Sequence, residues 1–533
     1  MCAAELDTNE HAVDVDQDQK ARNAEVDVKA AQREQIQQSA AEESSSELAR
    51  EVGASSQAVI HTGGGGGDGR PRRLLLIALQ GASPDLVLNA WRKELRTFDL
   101  LLDRGAWSRL LAPPATVGLP NWLSVFSGLD AGQLGVYGQH RRVNHSYTQP
   151  VVVDNRMVRD PRIWDLLGVN NKLIGVIGAP ATTPAPTVHG YLIGDTPLSD
   201  GAPSTFPGKL AQQVHTWLGD TSLSPGVPAQ FLPSDTQELD RAIQQVYTRA
   251  EQQFMLARRL LARDSYDCFV VAIDGIATIQ RLLWDSFDSS HPRYTEEHPF
   301  AGTIGSFYRF VDDQLFELLE LVDDDTIVAV VSPGGVRSLL GEFALNEWLI
   351  EQGDLVLHTP PQQPGELALA SVDWARTRAW ADDNGAIYLN VAGREPQGTI
   401  AQEQVEQVRR ELIERLQGLT DPTGERVLQV QRPELLFPSL QGVAPDLLVA
   451  YNRPGWRVTA QVGRGDVWCD ARSVQMDAAV ETPYGFMVLY DPHNLGGGRQ
   501  LDDAMLADVV PTLLTLLGHN IPARLRGRVM VGV

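Results

Sequence analysis

From residue 72 onward the chain is punctuated by short apolar runs: Arg72 to Leu79, Leu173 to Ile177, Phe269 to Ile273, Ile327 to Val331 and Met487 to Leu489. Runs of this length without polar alternation predict strands buried on both faces. Helical periodicity fills several gaps between them, near Asp85 to Asp103, Gln237 to Arg263 and Phe307 to Leu321. That alternation predicts an α/β fold, a mostly parallel sheet with helices on both faces. Ligands bind such sheets beyond the carboxyl ends of the strands, so the residues after each apolar run are where chemistry is expected. Two further strands, Ala386 to Val391 and Leu447 to Tyr451, and a charged helix, Gln402 to Gln417, predict a smaller α+β unit. Proline and glycine crowd Pro360 to Gly365, as a boundary linker would. A last helix runs from Asp503 to Leu517 and stops at Gly518. The expected organisation is a core from 72–345, an inserted cap unit from 346–469, and a return to the core from 470–533.

Composition changes this picture mainly at the N-terminus. Of 45 basic and 68 acidic side chains (net −23), residues 1–70 carry 6 and 14, and no aromatic residue precedes Trp91. A stretch so poor in apolar groups cannot offset its chain entropy, so residues 1–71 are expected to be a disordered acidic tail. A transient helix over Ala21 to Glu51 fits its Ala, Gln, Glu and Arg content. The tail is either a partner-binding segment or a solubilising leader, and the latter is the more ordinary role for such tails. The overall charge disfavours nucleic acid. No apolar run approaches the roughly 20 residues of a membrane span. Three cysteines (Cys2, Cys268, Cys469) make no disulfide framework or CxxC zinc site. No secretory signal is visible, which leads to the expectation of a cytoplasmic protein.

Seven segments then carry a resemblance. In order they read LLLIALQGASPD, LPNWLSVFSGLDAGQLGVYG, IWDLL, FVVAIDGIATIQRLLWDSFDSSHPRY, VVSPGGVRSLLGEFALNEWL, APDLLVAYN and DVVPTLLTLLGHNIPARLRGR. Together they resemble the alkaline phosphatase superfamily, and within it the type I phosphodiesterase and nucleotide pyrophosphatase branch. The resemblance implies that fold over residues 72–533. It also implies a two-metal site, zinc or manganese, in which a Thr or Ser attacks phosphorus. Two such ions clamp the attacking and leaving oxygens of an in-line displacement, and carboxylates and imidazoles hold them.

Matched to that pattern, Ser124 stands at the nucleophile position, four residues before Gly128, as a helix-start hydroxyl aimed at phosphate. The metal positions have lost their ligands. The first Asp is Gln80; an Asp-x-x-x-His pair, aligned through Gln280 and Trp284, is Ala277 and Arg281; an Asp-His pair is Pro333 and Gly334; a last His is Gln475 or Met476. None of the eleven histidines directly follows an aspartate, and the spacing recurs only at Asp354–His358 and Asp7–His11. His291 reads as a satisfied loop histidine. No metal cofactor is therefore expected. Arg281 has two readings: with Ser124 it binds a phosphate-type anion, or it pairs with a carboxylate such as Asp274 or Asp285 and closes the pocket. The leading expectation is a catalytically degenerate protein acting as a binding, scaffold or regulatory subunit with an unidentified protein partner. The alternative is a hydrolase of phosphate or sulfate esters using Ser124 with unrecognised partners. Leu345, Trp348 and Leu349, at helical spacing, are read as core.

Overall fold

The computed structural model describes residues 72–530, apart from 170, 220–221, 229–230, 383–384, 453 and 473–475. The acidic tail, Asp7 and His11, and Gln475 lie outside the described residues.

The predicted apolar runs become the centre of one ten-stranded sheet. Arg73–Leu79 lies between Cys268–Ile273 and Thr326–Ser332, parallel to both, with Leu76 opposite Val270 on one side and Ala329 on the other. Ile174–Ile177 and Gly190–Pro197 continue the parallel run. Pro203–Phe206 and Tyr484–Tyr490 are antiparallel to their neighbours. Every residue of Cys268–Ile273 and Thr326–Ser332 is buried, as a sheet covered on both faces requires. The covering helices include Thr236–Leu261, Gly275–Phe287 and Thr303–Leu319.

One predicted helix divides. The Asp85 to Asp103 stretch forms a π-helical turn, Asp85–Ala90, and a separate helix, Arg96–Arg104. Trp91, in the break, packs edge-on against Tyr308 and Phe287. The second helix restarts because Asp312 accepts from the backbone N–H groups of Thr97 (3.0 Å) and Phe98 (2.9 Å). A carboxylate from outside the helix thus satisfies its orphan donors.

A second hydrophobic core lies under the four-stranded sheet of Ala379–Asp382, Ala386–Leu389, Leu447–Tyr451 and Leu428–Gln431. Leu345, Trp348 and Leu349 are buried in it, on helix Leu345–Glu351. Cys268 and Cys469 are buried thiols without a disulfide. Among the described residues no helix is long and apolar enough to cross a membrane.

Candidate functional site

The carboxyl ends of the parallel strands open into a cleft of about 650 Å³. Gln80, just past Arg73–Leu79, and Asp274, just past Cys268–Ile273, lie on its wall with Gly118 and Arg249. Its position agrees with the rule for parallel sheets. The occupants of the positions around it differ from the expectation in three respects.

Ser124 is not at the helix start. It is the sixth residue of helix Leu119–Ser127, only 5% exposed, and the cleft wall does not include it. The residue at the head of that helix is Gly118, at φ +67°, a conformation glycine adopts without steric cost. The PNWL stretch reads as the helix start, but the helix already begins at Leu119, so Ser124 falls in its second turn, and every residue of the helix is buried.

The head of the helix is filled by the protein itself. Glu481, at the end of strand Ala479–Glu481, accepts a hydrogen bond from the Gly118 N–H through Oε2 (3.0 Å) and one from the Gln80 side chain. Helix N-termini attract acceptors because their N–H groups lack partners, and here the acceptor is a side-chain carboxyl. Burial pushes the Glu481 carboxyl above its ordinary value of 4.5, against these two hydrogen bonds. Between 4.5 and the raised value the folded protein therefore holds a proton that the unfolded chain releases, so stability falls as pH rises through that window. Asp130 and Asp312 are pushed up by burial as well. Glu481→Gln is thus expected to flatten only part of the decline, seen as a converging difference in urea midpoints between wild type and variant as pH falls from about 7 to about 4.5. Parallel midpoint curves would contradict it.

Arg281 pairs with a carboxylate, but the partner is Asp477 rather than Asp274 or Asp285, and the pairing does not close the cleft. On helix Gly275–Phe287 it donates Nη1 to Asp477 Oδ1 (2.8 Å) and to the Phe231 carbonyl (2.8 Å), and Nη2 to the Pro228 carbonyl (3.1 Å). Asp274 is instead held by Arg249, whose Nε lies 3.0 and 2.8 Å from its two oxygens, and Asp285 by Arg293 at 3.0 Å. Ser124 and Arg281 do not meet at the cleft. Asp477 also accepts from Arg457 (2.6 Å), which bonds Glu342 (2.7 Å), and Arg464 lies 2.7 Å from the other oxygen of Glu342. An arginine–carboxylate lattice therefore ties these segments together, and none of its members lines the cleft.

The other positions carry no ligand either. Ala277 presents a methyl group. Pro333 and Gly334 form a turn in which Ser332 Oγ donates to the Gly334 carbonyl (3.0 Å). Met476 is buried and offers its carbonyl to Arg293 (2.8 Å). His291 is 3% exposed; its Nδ1 accepts from the Arg293 N–H (3.0 Å), and the ring also has a hydrogen bond with the Leu339 backbone. Asp354 is spent on Arg378 (3.2 Å) and Arg415 (2.6 Å) rather than paired with His358. Among the described residues no group of three or more His, Cys, Asp or Glu is placed to hold a metal ion. An amide, a methyl, a guanidinium, a proline and a glycine do not suit two divalent cations, which need anionic oxygen or neutral nitrogen donors.

Sequence reasoning missed Glu481, Gly118, Arg249 and Asp477. A signal existed for Gly118, since TVGLPNW places a glycine directly before a Leu-Pro helix entry. Glu481 lies 363 residues from Gly118 and Asp477 lies 196 from Arg281, and nothing local marks either pairing.

A family model for type I phosphodiesterase / nucleotide pyrophosphatase matches residues 74–475. No curated protein matches the sequence. Among solved structures, wild-type alkaline phosphatase PafA is similar at 10% identity and a TM-score of 0.56, covering 86% of this chain and 98% of that one. Murine ectonucleotide pyrophosphatase / phosphodiesterase 5 gives 11% identity, TM-score 0.47, and coverage of 84% and 96%. Phosphonoacetate hydrolase from Sinorhizobium meliloti 1021 gives 15% identity, TM-score 0.48, and coverage of 85% and 98%. The match to PafA concerns the fold, and the family model spans most of the chain. The chain belongs to the type I phosphodiesterase / nucleotide pyrophosphatase family, with a fold like that of alkaline phosphatase PafA.

Proposed function

We propose that this family member has given up metal-dependent phosphoryl transfer and serves as a binding, scaffold or regulatory subunit with a protein partner. The observation that carries this reading is the Glu481 contact. A carboxylate seated on the Gly118 N–H and Gln80 occupies the head of the helix where an anion would otherwise be held. The replaced ligand positions point the same way. Each lost ion removes several kcal/mol of charge stabilisation, and 1.36 kcal/mol is one decade of rate. The buried position of Ser124 weighs against a hydrolase built on its hydroxyl.

The test is elemental analysis of the purified protein, paired with a bis(p-nitrophenyl) phosphate assay in added zinc or manganese. The expected result is no stoichiometric metal and no turnover above the buffer rate. Ser124→Ala is expected to leave that result unchanged. Stoichiometric metal together with turnover that Ser124→Ala abolishes would overturn the reading.

A further inference from the structure

The polar groups on the cleft wall are unevenly spent. Arg249, with a side chain 7% exposed, directs Nε at both oxygens of Asp274, Nη1 at the Ser224 carbonyl (2.6 Å) and Nη2 at the Asp195 carbonyl (2.7 Å). Arg156 is tied to Asp154, with Nε 2.8 Å from Oδ2. The Gly118 N–H and the Gln80 side chain go to Glu481. The donors of Arg249, Gly118 and Gln80 are thus consumed inside the protein, while Arg156 is exposed and held in a surface pair with Asp154.

The acceptors are in surplus. The Asp274 side chain is 38% exposed, and its two oxygens share a single guanidinium N–H. A carboxylate has about four lone-pair sites, so most of its accepting capacity faces solvent. Behind the wall the same imbalance recurs: buried Gln253 donates Nε2 to the Ala272 carbonyl (3.1 Å), and its Oε1 has no partner. The rest of the wall includes Leu119, Trp122, Val152 and Leu198, with Val152 and Leu198 exposed at 56% and 39%. A phosphate would meet the open carboxylate of Asp274, and the exposed cation of the wall, Arg156, is engaged by Asp154. An ammonium would meet a carboxylate already aligned by a buried arginine, beside an apolar surface. Pre-aligned acceptors of this kind cost little to reorganise on binding.

We infer that the cleft binds an organic cation: a primary ammonium on Asp274, carried by an apolar body that lies against Val152 and Leu198. The inference rests on the loss of the metal pair, because a divalent ion in the cleft would compete for the same carboxylate.

The experiment titrates the full chain with phenethylammonium and with its anionic counterpart, phenethylphosphonate, by calorimetry. Acetyl-lysine methylamide forms a third arm and separates a free amine from a protein side chain as the source. The ammonium is expected to bind at least about tenfold more tightly than the phosphonate, a gap of about 1.4 kcal/mol. Asp274→Asn is expected to weaken the ammonium by about tenfold or more and to leave the phosphonate unchanged. Because Asp274 also holds Arg249, the exposed rim variant Leu198→Arg gives a second readout that does not touch that pair. It is expected to weaken the ammonium by charge repulsion. Competition by the lysine amide assigns the cation to a protein side chain, and its failure to compete assigns it to a small amine; both support the inference. Phosphonate binding as tight as that of the ammonium would overturn it. So would ammonium binding indifferent to both variants. Metal content and turnover are measured separately, so failure of the catalytic reading is distinguishable from failure of the ligand assignment.

Discussion

Asp477→Ala is expected to lower the free energy of unfolding by about 3 kcal/mol, the lower end of the range for breaking a buried ion pair by removing one partner. Asp477 is 7% exposed and sits between two guanidinium groups, Arg281 Nη1 at 2.8 Å and Arg457 Nη1 at 2.6 Å. Truncation removes the charge that both arginines were desolvated against. Each keeps a partner: Arg281 the carbonyls of Phe231 and Pro228, and Arg457 the carboxylate of Glu342. Arg457 is also about one-third exposed, so water screens part of the loss. Those two facts place the expected cost at the lower end. Glu342 and Asp477 together hold Arg457 well above the usual guanidinium range, despite the opposing effect of burial. Asp477→Asn separates charge from shape, since an amide of similar size fills the site without neutralising it. It is expected to cost nearly as much as Asp477→Ala. Urea denaturation followed by tryptophan fluorescence measures both. A loss below about 1 kcal/mol in each variant would mean that the lattice contributes no more than a surface ion pair.

The lattice explains why the site was only partly legible in the sequence. The strands that position it announced themselves, because a parallel strand buried on both faces must be apolar at every residue, as in CFVVAI and TIVAVVS. Ala106–Leu111 escaped notice because its burial alternates, with Arg109 and Leu111 exposed. Gly190–Pro197 and Pro203–Phe206 carry glycine and proline, which argue against strands until the sheet edge is known. The loss of the ligands was legible residue by residue, since it depends on residue type alone. What replaced them was not. Arg281 carries no mark of whether it will meet Asp274, Asp285 or Asp477, and the choice falls to a carboxylate 196 positions away. Glu481 reaches Gly118 across 363 positions. Ser124 was misplaced by a local error of one and a half helical turns, enough to move a hydroxyl from the cleft to the buried interior.

Rebuilding the ligands is expected to fail, and Gly334 provides the clearest reason. A Cβ built on Gly334 would stand 2.5 Å from the Thr482 carbonyl oxygen, a backbone atom that no side-chain rotation can move aside. Thr482 is itself fixed, since its N–H donates to the Gly335 carbonyl (2.9 Å) while the Gly335 N–H donates to the Tyr484 carbonyl (2.7 Å). The turn after Thr326–Ser332 is therefore locked against the segment that carries Glu481. Gly334→Ala alone is expected to destabilise by about 1–3 kcal/mol, the usual cost of overpacking a close contact. Gly334→His adds a ring to the same clash and is expected to cost more. The combined variant Gln80→Asp, Ala277→Asp, Arg281→His, Pro333→Asp and Gly334→His also strips Asp477 of one arginine. It leaves Glu481 on the Gly118 N–H. The expected outcome is a protein that unfolds at markedly lower urea than wild type, takes up no stoichiometric zinc or manganese by mass spectrometry of the native protein, and hydrolyses no phosphodiester. A stable variant holding two ions would show that the turn yields to the larger side chain, and that the ancestral site is recoverable by ligand identity alone. The contact at Thr482 argues the reverse: the backbone leaves no room for a side chain at Gly334.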